Sequence, residues 1–139
     1  MGFVVDASVA CAWVFSDEAT PALDDLLEQA GSTTVFVPSL WRAEVMNTLI
    51  QASRRQRISE TEVVEYFTYL EHLAVEEATQ VIPVGQILSL CMEHGLTAYD
   101  AMYLALAMRL GEPLATLDKQ LGNAARKVGV VVLGYVEAS

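Results

Sequence analysis

A chain of 139 residues with 53% hydrophobic content is most economically one domain, residues 1–139, with a real core. Its 18 acids against 8 bases give a formal net charge of −10, which argues against nonspecific nucleic-acid binding because phosphate contacts draw on Lys and Arg. No apolar run approaches the ~20 residues of a membrane-spanning helix, and no basic region precedes the first apolar residues as in a signal peptide. Cys11 and Cys91 lie in apolar helical contexts that suit reduced cytosolic thiols. Together with two scattered histidines they match no zinc spacing.

In chain order, Phe3-Val4-Val5 reads as a buried strand closed by Asp6, followed by a helix over 7–15. Thr20-Pro21 opens a second helix, with Asp24, Asp25 and Glu28 on its outer side. A strand follows over 34–37, and Pro38-Ser39 starts a long helix to about residue 54. Ser59-Glu60-Thr61-Glu62 has the form of a capping box, and Val63, Phe67, Leu70 and Ala74 make the inward stripe of its helix. Val81-Ile82 reads as a short third strand, and 84–94 as a helix stopped by Gly95. The next helix, 98–110, is apolar on nearly every side, which predicts burial. Gly111 and Pro113 then lead into a strand over 114–117 ended by Asp118, a helix over 119–128 and a last strand over 130–133. Strands alternating with helices imply a three-layer α/β/α domain around a parallel sheet of about five strands.

Four acids stand out because nothing near them in sequence neutralises them. Asp6 and Asp118 each close an apolar strand, where open parallel sheets bind ligands. Either alone reads as the cap of the following helix. Asp100 opens the apolar helix, and its neighbours Leu96, Thr97, Tyr103 and Leu104 include no cation. A group outside the helix must therefore hold it. Glu44 has no in-helix partner among Leu40, Trp41, Asn47 and Thr48, and it reads equally as a site residue or an exposed single charge. If the four converge, repulsion raises their pKa values or demands a divalent cation, and oxygen ligands without His or Cys favour Mg²⁺ or Mn²⁺.

Ser8 and Thr116 sit two residues from Asp6 and Asp118, where they either hydrogen-bond carboxylates or serve as ordinary cap and strand polarity. Lys119 reads as a helix-end residue rather than a phosphate contact, and His94 as a helix C-terminal residue. Arg54, Arg55 and Arg57 read as a solvated helix end, with an RNA-tracking role as the alternative.

Val4-Val5-Asp6-Ala7-Ser8, the helical Glu44, Leu96-Thr97-Ala98-Tyr99-Asp100-Ala101 and Ala115-Thr116-Leu117-Asp118 together resemble the PIN-domain ribonucleases, and most closely their small VapC type. The resemblance runs over essentially the whole chain. It implies a Mg²⁺- or Mn²⁺-dependent endoribonuclease of the cytoplasm, the toxin half of a VapBC module. It also implies a homodimer, RNA as substrate, and inhibition by a VapB-type antitoxin whose tail lies in the active-site groove. The family's acidic quartet maps onto Asp6, Glu44, Asp100 and Asp118, and its supporting hydroxyl onto Thr116. An α/β phosphatase with Asp6 as nucleophile is a rival, weakened because Ser8 stands where a second acid is needed. A catalytically inactive acidic module that docks a basic partner is another. The 63–74 stripe and the 41–49 face pack internally by default, with part of that surface free to meet a second subunit or the antitoxin.

Overall fold

A computed structural model describes residues 2–134 of the chain. Its strands are β1 (Gly2–Val5), β2 (Thr34–Val37), β3 (Val75–Glu77), β4 (Leu114–Ala115) and β5 (Val132–Leu133). They pair in parallel in the order β3-β2-β1-β4-β5. The helices are α1 (Ala7–Val14), α2 (Pro21–Ala30), α3 (Trp41–Arg54), α4 (Glu60–His72), α5 (Val84–His94), α6 (Ala98–Leu110) and α7 (Lys119–Lys127). α1 packs on α2 and α3, and α3 on α4. α6 packs on β1, β4, α5 and α7. The result is the three-layer α/β/α architecture that the alternating pattern implies. Among the described residues no helix is long and apolar enough to cross a membrane.

The sheet order follows from burial. β1 lies in the middle, covered on both faces, and its Phe3, Val4 and Val5 are at most 2% exposed. Its register with β2 begins at Gly2 opposite Thr34, where a Cβ on Gly2 would lie 1.8 Å from the Thr34 carbonyl oxygen. Only glycine tolerates that approach. α6 forms the other half of the core, with Ala101 and residues 103–107 buried. Gly95, at φ +67°, closes α5 in the left-handed conformation and lets the chain turn into α6. From β1 the chain winds outward to β2 and β3, then returns to the other side of β1 for β4 and β5. The order therefore reverses between β1 and β4, the switch point at which such sheets open a crevice.

Several boundaries differ from the sequence reading. The third strand is 75–77, not Val81-Ile82; Val81 is 85% exposed, and its segment is irregular chain leading into α5. Ala74 lies beyond α4 and is exposed, so the inward stripe ends at Leu70. α3 starts at Trp41 rather than at Pro38, because the Trp41 N–H closes a tight turn onto the Pro38 carbonyl first (3.1 Å). β4 stops at Ala115 rather than at 117, since the Leu117 and Asp118 N–H groups are taken by side-chain hydroxyls. β5 covers only 132–133. The capping box at Ser59 and Glu62 is present in both directions.

Leu104, fully buried at the centre of α6, is the clearest measure of this packing. Leu104→Ala is expected to lower unfolding free energy by about 2–5 kcal/mol, read from chemical denaturation with an unchanged m-value.

Candidate active site

The switch point is occupied by carboxylates. Asp6 follows β1 directly and is 5% exposed. Its N–H continues the ladder onto the Ala115 carbonyl (3.1 Å), so the position of the residue is set by the β1–β4 pairing. Oδ1 accepts from the Ser8 hydroxyl (2.6 Å) and the Val9 N–H (3.0 Å), and Oδ2 accepts from the Thr116 hydroxyl (2.5 Å). Each hydroxyl also accepts from the chain after β4: Ser8 Oγ from the Leu117 N–H (3.0 Å), Thr116 Oγ1 from the Asp118 N–H (3.0 Å). Two hydroxyls thus stitch the Asp6 carboxylate to the loop that carries Asp118.

The helix-cap reading holds for both strand-end aspartates. Asp6 caps α1 through Val9, and Asp118 caps α7 through the Leu121 N–H (2.8 Å). Capping does not exhaust Asp118, because it engages one of two carboxylate oxygens. Asp100, in the first turn of α6, is half-buried beside the Thr97 hydroxyl that caps that helix. The partner expected from outside its helix is not a cationic side chain: among the described residues none of the four acids forms an ion pair. Glu44 is half-buried on α3, and its Oε1 accepts from the Tyr103 phenol (2.5 Å).

The acids act on one another. Burial pushes the Asp6 carboxyl above its ordinary pKa; hydrogen bonds from Ser8, Thr116 and Val9 oppose this, and the charge of Asp118 adds to it. Asp100 is raised by burial and then by the charges of Asp118 and Asp6, with Thr97 opposing. Glu44 is raised by burial and by Asp100, against the Tyr103 bond. The three aspartates therefore share one field, and Glu44 joins it through Asp100. As they stand, no three His, Cys, Asp or Glu side chains among the described residues are gathered tightly enough to hold an ion. The chemistry of the set still fits a hard divalent cation, with carboxylate oxygens only and repulsion that a cation relieves.

Other residues sort more simply. His94 ends α5, and Lys119 is the exposed first residue of α7. Cys11 and Cys91 are free thiols; burial pushes Cys11 up to about 12, so it is no nucleophile. Tyr103 is the residue the sequence reading passed over. A phenol within an otherwise apolar buried helix needs a partner, and that requirement was the available signal.

A family model for the PIN domain matches residues 3–127. Ribonuclease VapC3 of Pyrobaculum aerophilum is 33% identical over 127 residues, covering 88% of this chain and 94% of the relative. Two solved structures share the fold. PAE2754 of P. aerophilum has a TM-score of 0.73 at 22% identity, covering 95% of this chain and 90% of its own. The sarcin–ricin loop cleaving toxin VapC20 of Mycobacterium tuberculosis has a TM-score of 0.59 at 14% identity, covering 99% and 98%.

Two stability measurements test the electrostatics. Asp6, Glu44 and Asp100 have raised folded-state pKa values, so their contribution is fully present below the ordinary carboxylate pKa and lost as pH rises through the raised values. Metal-free Asp100→Asn is therefore expected to melt roughly 2–4 °C above the wild type at pH 7, and the gain should vanish on acidification through the raised pKa. Tyr103→Phe is expected to cost about 1.5–3 kcal/mol at pH 7, where it strands an ionised Glu44, and less once Glu44 is protonated. A cost independent of pH would show that the phenol does not act on that charge.

Proposed function

The chain belongs to the PIN-domain family, in its VapC branch, and on that premise we propose that it is a divalent-metal-dependent endoribonuclease. It is the toxin half of a VapBC-type pair. The observation that carries this reading is that Asp6, Asp100 and Asp118 share one electrostatic field at the β1–β4 switch point, with Glu44 coupled through Asp100 and, among the described residues, no cationic side chain paired with any of the four. Carboxylates held this way weaken the fold when metal-free, and such a cost is typical of a site kept for binding.

Asp6 and Asp100 would be the main ligands of one Mg²⁺ or Mn²⁺, Glu44 would bind it directly or through water, and Asp118 would help to place a second ion where one is used. Bound there, the cation supplies an acidified water and neutralises charge on the scissile phosphate. The protein's own part is positional. Ser8 and Thr116 fix both oxygens of Asp6 and bring the Asp118 loop with them. Tyr103 donates to Glu44 and favours its charged form against the burial that raises its pKa. Burial of Asp6 strengthens the charge interactions that this carboxylate makes.

The same reading makes the protein a cytoplasmic homodimer restrained by a VapB-type antitoxin. On this reading the chain is a single PIN domain, whose family model matches residues 3–127. The phosphatase alternative gains no support at the second position it requires, because the Ser8 hydroxyl is engaged with Asp6 and Leu117.

Purified protein with Mg²⁺ is expected to cleave RNA, to stop on chelation, and to release no phosphate from small esters. Asp6→Asn and Asp100→Asn should each lower cleavage by at least ~10²-fold while retaining the wild-type circular dichroism. Mg²⁺ at 100 times its Kd should stabilise the wild type by about 2.7 kcal/mol and leave Asp6→Asn unmoved. Full activity in either variant would remove the proposal.

A further inference from the structure

The basic residues are not equally available. Arg42 pairs with Glu71 and Glu77. Arg57 is clamped by Asp17 (2.9 Å) and Glu18 (2.6 Å) with its guanidinium 4.0 Å above the Phe15 ring. Arg54 and Arg55, at the end of α3, form no ion pair with a described residue and are exposed. In this acidic chain, two uncommitted guanidinium groups on one helix end form a local exception.

α3 links that exception to the acids. Glu44, Asn47, Thr48, Gln51 and Arg55 recur at helical spacing and share one face. A depression of about 350 Å³ is bounded by Leu40, Ala43, Glu44, Asn47 and Tyr99. Another, of about 360 Å³, is bounded by Asn47, Thr48, Gln51, Arg55 and Phe15 among others. Asn47 bounds both, so a line of two depressions runs along α3 from Glu44 to Arg55, about 16 Å at 1.5 Å per residue. Its charge runs from carboxylate to guanidinium. The Thr48 hydroxyl is committed to the Glu44 carbonyl (2.9 Å), so the Asn47 and Gln51 amides and Arg55 are the donors along it. At the acidic end stands Tyr99, next to Asp100 and 61% exposed.

We propose that this line of depressions is the path of a single RNA strand leaving the acids. Arg55 takes a backbone phosphate, the Asn47 and Gln51 amides contact the stretch before it, and the Tyr99 ring stacks on a base beside the cut. The inference rests on the nuclease reading and adds to it the substrate's route along α3. An exposed aromatic ring at one end and an uncommitted guanidinium at the other suit a strand whose bases are free to stack, whereas a duplex buries them.

The test is steady-state cleavage of a fluorescently labelled single-stranded RNA in Mg²⁺ at several salt concentrations. Arg55→Glu and Tyr99→Ala should each raise KM about tenfold with kcat within twofold. Tyr99→Phe should behave as wild type. For Arg55→Glu the salt dependence of log KM should flatten by roughly 0.7. Lys127→Glu, the same charge change at the far end of α7, is the control and should leave KM near wild type. If the wild type cleaves and Arg55→Glu matches Lys127→Glu, the strand takes another route, and the proposal fails while the nuclease reading survives. A drop confined to kcat in Tyr99→Ala overturns the stacking role. If the wild type does not cleave, the nuclease reading fails, and fluorescence anisotropy of the same RNA decides the route. Selective loss of affinity in Arg55→Glu then supports it, and equal affinity overturns it.

Discussion

Everything at the site depends on the pairing of two short strands. β1 and β4 are far apart in sequence, yet the Asp6 N–H reaches the Ala115 carbonyl and the Thr116 hydroxyl reaches the Asp6 carboxylate. Without that ladder, Asp6 is a helix cap and Asp118 another, each satisfied locally. With it, two caps become parts of one electrostatic unit. The cost is a cluster of like charges in a partly dry place, and core burial around β1 and α6 has to offset it.

The apolar periodicity of the long elements exposes their core faces directly, which is why β1, β2, α5 and α6 fall where the sequence places them. β3 escapes for a physical reason. It is an edge strand, hydrogen-bonded on one side only, and its Val75-Glu76-Glu77 carries the charges that protect exposed edges from pairing with other chains. The apolar Val81-Ile82 nearby looks more like a strand and is instead irregular chain, with Val81 exposed and Ile82 packed partly against the core. Asp6 and Asp118 could be singled out because each ends an apolar strand, and Asp100 and Glu44 because each lacked an in-helix partner. What that absence could not convey was the direction of the restraint. Asp100 meets more negative charge rather than an arginine, and Glu44 is held by Tyr103, fifty-nine positions away.

The net charge of −10 and an RNA substrate are compatible once charge is read locally. Arg42 and Arg57 are consumed in tying loops and helices together. The total therefore overstates the repulsion along α3, which ends in uncommitted guanidinium groups, and understates it at the switch point. Whole-chain charge speaks to solubility and long-range steering, and only the distribution speaks to where a phosphate can rest.

The hydroxyl stitch between Ser8, Thr116 and Asp6 also has a meaning in time. It closes a loop of about 110 residues, and contacts of such sequence separation come late and slowly. On the ribosome, where domains form as the chain emerges, the amino-terminal carboxylate waits without its counterpart until nearly the last strand has been made. A nascent or truncated chain that stops before β4 carries Asp6 but no assembled centre, so the carboxylate site takes shape only once the segment through Asp118 has been made.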